Sequence, residues 1–463
     1  MRRRLCLAAL GGLLALPLSG ATALGRTTAT PAAHAASTSP GVLFNREIFQ
    51  YKTSQTTAAQ AARYSVVVLN AADAPHIATL RAENPHILIF MYQSALQSQT
   101  ADPTGITTCT PYGTDNTSHP TWFLTDPLLR RIYDKGYPTN YLMDVGNPAY
   151  QQACISHADQ QAQALGFNGV FFDDVTANAL WAFPPGESSP KYPNMAAWQS
   201  AMSSWVSYAA SHSSLPIIAN LGGTTVTPGL WQKWASQFYG AMEESWTDGG
   251  AGLAQQVPDW PAKLANVAWS EAHGKVVLLH SYNKTETGNT YGLASMLLVA
   301  GGHTSYATAA TYQGAETWYP EYSTAQLLGS PLGSYSRRSN GVYERQFQNG
   351  VVLVNPTLSS VRSFSIGGGA YSGSGLTNVS SVSLGPTSGL VLLRAPTTTH
   401  ATHNPPPATH KTHKKHKKHK KHKSHKKHHK RHHKKKHHHK RKHHSTTTHS
   451  AARALGILAL LGL

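Results

Sequence analysis

Cysteine is scarce in this chain, with three in 463 residues. Cys6 falls in an N-terminal export-signal pattern, so Cys109 and Cys154 remain, and neither has the CxxC spacing of a metal or redox site. A glycine-rich phosphate loop is also missing: Asn45-Arg-Glu47 stands where a doubly wound nucleotide fold would carry one. No Gly-x-Ser-x-Gly nucleophile elbow and no His-x-x-x-His helical metal pattern occurs in the main body of the chain. Together these absences argue against a metal site and a bound cofactor. Long apolar runs are lacking too. Leu5 to Leu18 and Ala451 to Leu463 both fall short of the ~20 residues a membrane span needs.

Charge of one sign is scarce once a single segment is set aside. The formal net charge is +19, yet 33 of the 35 residues from His410 to His444 are Lys, Arg or His (16, 2 and 15). Without those 18 cations the 40 Lys and Arg fall to 22, against 21 Asp and Glu. The rest of the chain is nearly neutral and offers no global electrostatic case for nucleic acid. The basic segment cannot bury a core and is expected to be disordered. As a polycation it would suit an anionic cell-wall polymer or a membrane surface.

Residues 1–25 read as a signal peptide: Arg2, Arg3 and Arg4, an apolar stretch, then small residues at Ala21-Thr-Ala23, with Ala33-His-Ala35 as a second cleavage candidate. A retained anchor is the alternative. The expectation is a secreted protein held near the cell envelope, and a monomer. In an exported chain Cys109 and Cys154 favour a disulfide. It would close a loop of about 45 residues and contribute up to roughly 4 kcal/mol.

Residues 26–40 form a flexible lead. Over residues 41–335 short apolar runs alternate with helical stretches, which implies βα units and a parallel sheet. Eight strands are expected at 41–48, 64–71, 86–93, 169–174, 216–221, 238–244, 275–282 and 303–308. Several end in polar residues, as the active-site face of a (β/α)8 TIM barrel does; an open doubly wound sheet is the alternative. Asn147-Pro148 opens a helix that closes before Gly166. Another, from Asn194 to Ser211, has an aromatic stripe suited to packing on the barrel. The stretch from Ser94 to Thr139 is an insertion that could wall a cleft. Residues 336–395 read as a small antiparallel β-sandwich domain, 396–450 as a Pro/Thr linker with the Lys/His tail, and 451–463 as a short apolar end.

Acids stand at two of the strand ends: Asp173 and Asp174 in Gly169-Val-Phe-Phe-Asp-Asp174, Glu243 and Glu244 in Gly240-Ala-Met-Glu-Glu244. Fourth and sixth strands lie two apart around a barrel rim, so their side chains can face each other. Glycosidic cleavage commonly needs two carboxyl groups flanking the anomeric carbon, one to attack or stabilise it and one to protonate the leaving oxygen. Tyr92, Trp181, Trp246 and Tyr282 are candidate stacking surfaces for a carbohydrate substrate. Asn45, Gln93, Asn220 and Asn283 are candidate hydroxyl ligands. Asp144 is read as fixing the loop before its helix.

These residues also resemble a family. Met143-Asp-Val-Gly-Asn-Pro148, a helix, and then Gly166-Phe-Asn-Gly-Val-Phe-Phe-Asp-Asp174 is similar to bacterial glycoside-hydrolase-like barrel proteins, the hypothetical glycosyl-hydrolase-like family fifteen among them. Asn340-Gly-Val-Tyr-Glu-Arg-Gln-Phe347 through Asn355-Pro356 resembles the entry to their terminal β domain. The likeness spans roughly Gly41 to Arg394. It implies a barrel glycoside hydrolase with Asp173 as nucleophile and a sixth-strand acid as acid/base. Asp173 follows Gly169 by four residues and Glu244 follows Gly240 by four, which favours Glu244, with Glu243 close behind.

Overall fold

In this computed structural model the described residues are 47–48, 57–61, 63–247, 259–283, 285–309 and 318–395. Asn45, the signal peptide, the lead and the Lys/His tail lie outside them.

Eight parallel strands form one sheet in chain order: β1 (Glu47–Ile48), β2 (Val66–Leu69), β3 (Leu88–Ser94), β4 (Gly169–Asp173), β5 (Ile217–Asn220), β6 (Gly240–Glu244), β7 (Val276–Ser281) and β8 (Thr304–Thr308). A helix follows each strand, and β1 and β8 approach each other, so the sheet curls into a nearly closed α/β barrel. All eight expected strand positions are occupied. Sequence-adjacent βα units stack this way because a parallel crossover needs a helix to return the chain.

Side-chain alternation along a strand sorts the residues into two sets. Val66, Val68, Phe90, Tyr92, Phe171, Ile218, Met242 and Leu278 form a cluster inside the barrel. The alternate residues, among them Val67, Met91, Phe172 and Leu279, belong to the larger core beneath the helices. Gly169 and Gly240 belong to the inward set, where neighbouring strands crowd their bases. A Cβ on Gly169 would stand 2.3 Å from the Pro216 carbonyl, and one on Gly240 would stand 2.5 Å from that of Val276. Each glycine therefore lets its strand start deep in the barrel, and four residues later the same inward phase emerges at the mouth.

The helix Pro148–Leu165 forms where expected. Asn147 caps it by accepting from the Ala149 and Tyr150 amides, and Gly166 ends it at φ 80°. In Met195–His212, capped by Asn194, Trp198, Met202 and Trp205 are buried, and Trp205 meets Phe172 edge-on at 5.0 Å. That stripe is packing against the barrel, as its spacing implies.

The insertion after β3 builds a three-stranded antiparallel sheet from Gln97–Gln99, Tyr133–Asp134 and Tyr137–Leu142. The sulfurs of Cys109 and Cys154 are bonded and both residues are buried, tying the insertion to the Pro148–Leu165 helix. Ahead of it, the Asp102 carboxylate accepts from the Ile106, Thr107 and Thr108 amides and fixes the turn leading to Cys109.

Beyond the barrel, strands from Ser336–Arg337 to Ser388–Arg394 form a six-stranded and a two-stranded antiparallel sheet. Alternation works here too. Val352, Val354 and Val391 pack with the barrel core, whereas Val351, Leu353 and Leu392 join Ile366, Val382 and Leu384 in a separate cluster. The helix Glu286–Leu297 lies against this sheet, and its residues from Gly288 to Leu297 are buried.

Candidate active site

β4 and β6 put Asp173 and Glu244 on the inward face at the C-terminal mouth of the barrel. Asp173 shares the phase of Phe171, and Glu244 that of Met242. β5 lies between them and ends in Asn220. Its single side-chain nitrogen donates to Asp173 Oδ1 at 2.9 Å and to Glu244 Oε2 at 2.8 Å. The two acceptor oxygens therefore lie no further apart than those two bonds laid end to end. Tyr92, from β3, donates to Asp173 Oδ2 at 2.7 Å, and Tyr282, just past β7, donates to Glu244 Oε1. Asp173 Oδ1 also accepts the Asp174 amide at 2.9 Å.

Asp174 continues the chain at φ 59°, and Ser245, which follows Glu244, takes the same value. This left-handed backbone is costly for a non-glycine residue. At both strand ends it turns the chain sharply after the inward acid. Ser94 Oγ donates to Asp174 Oδ2 at 3.3 Å. Burial, then the Asp173, Glu244 and Asp134 carboxylates, push the Asp174 carboxyl well above the usual range, with the Ser94 bond pulling the other way. The protonated form of Asp174 is thus more favoured than that of an ordinary carboxyl. His280 is the inward neighbour of Glu244 on β7, and burial pushes its imidazole down to about 3. It is uncharged at neutral pH and supplies no cation there.

Glu243 does not join this group. One residue out of phase, it points outward beneath the helix Trp260–Ala272, where Lys263 Nζ lies 2.9 Å from its carboxylate. Both side chains are nearly buried, at 9% and 8% exposure for Lys263 and Glu243. Burial raises the Glu243 carboxyl, and Lys263 offsets part of that rise. Lys263 also donates to the Ser245 carbonyl at 2.8 Å, securing the turn after Glu244.

The expected sugar ligands are sorted by the same pleat. Asn220 is at the site, but as a donor to both acids. Tyr92 and Tyr282 are buried, and each directs its hydroxyl to an acid, so they hold the carboxylates and offer no open stacking face. Gln93 faces outward, donating to Gln161 Oε1 at 2.8 Å. Trp246 is fully buried and donates to the Gly292 carbonyl. Asn283 is buried, with its amide 3.5 Å from the Tyr306 hydroxyl. These last three stand in the outer core because burial of an amide or indole requires a partner, and each finds one there. Asp144 is buried and accepts from Lys191 and Tyr192, so it ties the loop after β4 to the turn before the Pro148–Leu165 helix.

Ser94, Lys263 and Tyr137 were not legible as site residues. Ser94 is the register partner of Asp173, which is set by strand pairing alone. Tyr137, in the insertion, is within electrostatic reach of Asp173, Asp174 and Glu244. Among the described residues no group of three or more His, Cys, Asp or Glu is placed to hold a metal ion.

A parallel barrel with inward acids on its fourth and sixth strands, joined by a donor on the fifth, sets two carboxyl groups at the face where barrels of this kind carry their active sites. The family follows from the sequence match: the chain belongs to hypothetical glycosyl hydrolase family 15, whose model matches residues 81–351. Among solved structures it is similar to the glycoside hydrolase domain of PelA from Pseudomonas aeruginosa, at 15% identity and TM-score 0.39 over 57% of this chain and 93% of that one. It is also similar to a GH27 β-L-arabinopyranosidase from Geobacillus stearothermophilus, at 10% identity and TM-score 0.46 over 76% and 97%. A third is the isomalto-dextranase of Arthrobacter globiformis T6, at 13% identity and TM-score 0.42 over 76% and 72%. No curated protein matches the chain.

Proposed function

We propose that the chain hydrolyses O-glycosidic bonds of an oligo- or polysaccharide, with Asp173 and Glu244 as the working pair. One observation carries this reading: Asn220 Nδ2 bonds both carboxylates at once. That clamp fixes their separation on a rigid strand. It also keeps their facing oxygens closer than the ~6.5–9.5 Å typical of inverting enzymes and near the ~5–5.5 Å of retaining ones.

The chemistry is then a double displacement. Asp173 attacks the anomeric carbon as the glycosidic C–O bond breaks, and Glu244 gives its proton to the departing oxygen. The resulting glycosyl ester on Asp173 is cleaved by water, from which Glu244 recovers a proton. Tyr92 and Tyr282 orient the two groups, and burial beside the other acids favours the protonated form of Asp174.

The test is turnover on a glycan panel by the wild type and by Asp173→Asn. Loss of at least about a thousandfold in the variant supports the nucleophile role. Cleavage undiminished in Asp173→Asn, or no cleavage by the wild type, refutes the enzyme reading and leaves a glycan-binding barrel.

Export and envelope retention through the Lys/His tail belong to the same proposal, on the sequence signals alone. Deleting residues 410–444 should abolish low-salt binding to teichoic-acid-bearing walls or anionic vesicles. Binding that survives both deletion and high salt contradicts it.

A further inference from the structure

The turn between Tyr133–Asp134 and Tyr137–Leu142 projects from the insertion toward the mouth of the barrel. Asp134 and Tyr137 are paired across it, with Lys135 and Gly136 at the tip. Its shape is fixed from inside. The Asp134 carboxylate accepts the Gly136 amide at 2.7 Å and the Tyr137 amide at 3.3 Å. Its other oxygen accepts Gln97 Nε2 at 2.9 Å, and Gln97 Oε1 accepts Asn140 Nδ2 at 2.7 Å. The tip is joined to the loop after β4 by the Lys135 amide, which donates to the Ala182 carbonyl at 2.8 Å. Trp181 immediately precedes that carbonyl.

Both aromatics are open to solvent in a molecule that buries most of its tryptophans. Tyr137 is 51% exposed and Trp181 40%. The Tyr137 hydroxyl titrates above its ordinary value, first through partial burial and then through Asp134, Asp174, Glu244 and Asp173. The insertion leaves the barrel at the end of β3 and Trp181 follows the end of β4, so both aromatics stand on the mouth side, and the Tyr137 hydroxyl is within electrostatic reach of the acids that Asn220 clamps. A rigid turn with an exposed ring beside a carboxylate cleft is poorly explained as core packing. It does suit a sugar, whose C–H faces lie on aromatic surfaces while its hydroxyls reach polar neighbours.

We propose that Tyr137 and Trp181 form an extended carbohydrate subsite on the insertion side of the cleft, so that the preferred ligand is a chain of several sugars rather than a mono- or disaccharide. This rests on the glycan-cleaving reading of the acid pair, but it is tested by binding and needs no turnover.

The experiment uses the full-length chain carrying Asp173→Asn, probed on a printed array of oligosaccharides from two to eight sugars and then by calorimetry on the series it binds. Tyr137→Ala and Trp181→Ala are added to that background singly and together, and Tyr137→Phe serves as the conservative control. The expected result is affinity that rises with chain length in the parent. The double variant should lose about tenfold or more on the longest chain and less than about twofold on the shortest bound one. Tyr137→Phe should stay within about threefold of the parent, because the ring is kept. The subsite is overturned if the double variant binds the longest chain as tightly as the parent, or if every chain length weakens equally. A length-dependent loss alongside undiminished turnover in Asp173→Asn would uphold the subsite while sinking the assignment of the acids. Binding of no arrayed glycan by the parent or the wild type would sink both.

Discussion

Replacing Lys263 with Met tests the placement of the two sixth-strand acids against each other. Lys263 and Glu243 form an ion pair at 2.9 Å, with little of either side chain exposed. A methionine fills similar volume but leaves a carboxylate in the outer core with no counter-charge. Breaking one half of a buried pair typically costs about 3–5 kcal/mol, because the remaining charge stays desolvated. In a domain this large about 2 °C of melting temperature goes with each kcal/mol, so Lys263→Met should melt about 6–10 °C below the wild type by circular dichroism. The lost bond to the Ser245 carbonyl adds to the effect by freeing the turn after Glu244. Adding Glu243→Leu should then recover most of the loss, since a well-packed apolar pair often matches a buried ion pair. The recovered double variant should still cleave glycan, while Glu244→Gln should not. A Lys263→Met protein that melts within about 1 °C of the wild type would refute the energetics. A double variant less stable than Lys263→Met would refute the outward placement of Glu243.

Asp174→Asn should raise the melting temperature at pH 7. The folded-state carboxyl is raised well above 3.8. The folded protein therefore binds a proton that the unfolded chain has released, and wild-type stability falls as pH rises above 3.8 toward the raised value. Melts of the two proteins should converge below pH 3.8, and a gain that persists there would contradict the linkage. Asn220→Ala removes a donor shared by two acids, each bond being a charge-assisted one of about 1.5–3 kcal/mol. Turnover should fall at least about tenfold with KM little changed, and unchanged turnover would remove the clamp from the mechanism. Replacing Cys109 and Cys154 by Ala should cost roughly 4 kcal/mol for a loop of about 45 residues, read by urea unfolding. Activity should weaken as well, because Cys109 and Thr108 run beside Ser94, the register partner of Asp173.

The eight strand positions, the helix starts at Asn147 and Asn194 and the acids at two strand ends were determined by the sequence alone. Each depends on a local rule: apolar period, a proline in the first helical turn, or a polar group where an apolar run stops. The glycine-to-acid spacing carried more than composition could. Gly169 and Gly240 set strand phase, and a period of two then sends Asp173 and Glu244 inward. Glu243 against Glu244 lay at the limit of that rule, since adjacent residues differ only in phase. The structure separated them by placing Lys263, twenty residues beyond Glu243, against that one.

Tertiary structure alone decided the polar and aromatic residues. Tyr92, Gln93, Trp246, Tyr282 and Asn283 all sit near strand ends and look equivalent in a sequence. Their roles depend on which partner a neighbouring element presents: an acid for Tyr92 and Tyr282, the Gln161 amide for Gln93, the Gly292 carbonyl for Trp246. Tyr137 lies in an insertion with no periodicity to place it, and only the fold of that insertion brings its hydroxyl within electrostatic reach of the acids. The local chain fixes where a side chain starts and which way it points. What it meets there is set by segments far away in sequence.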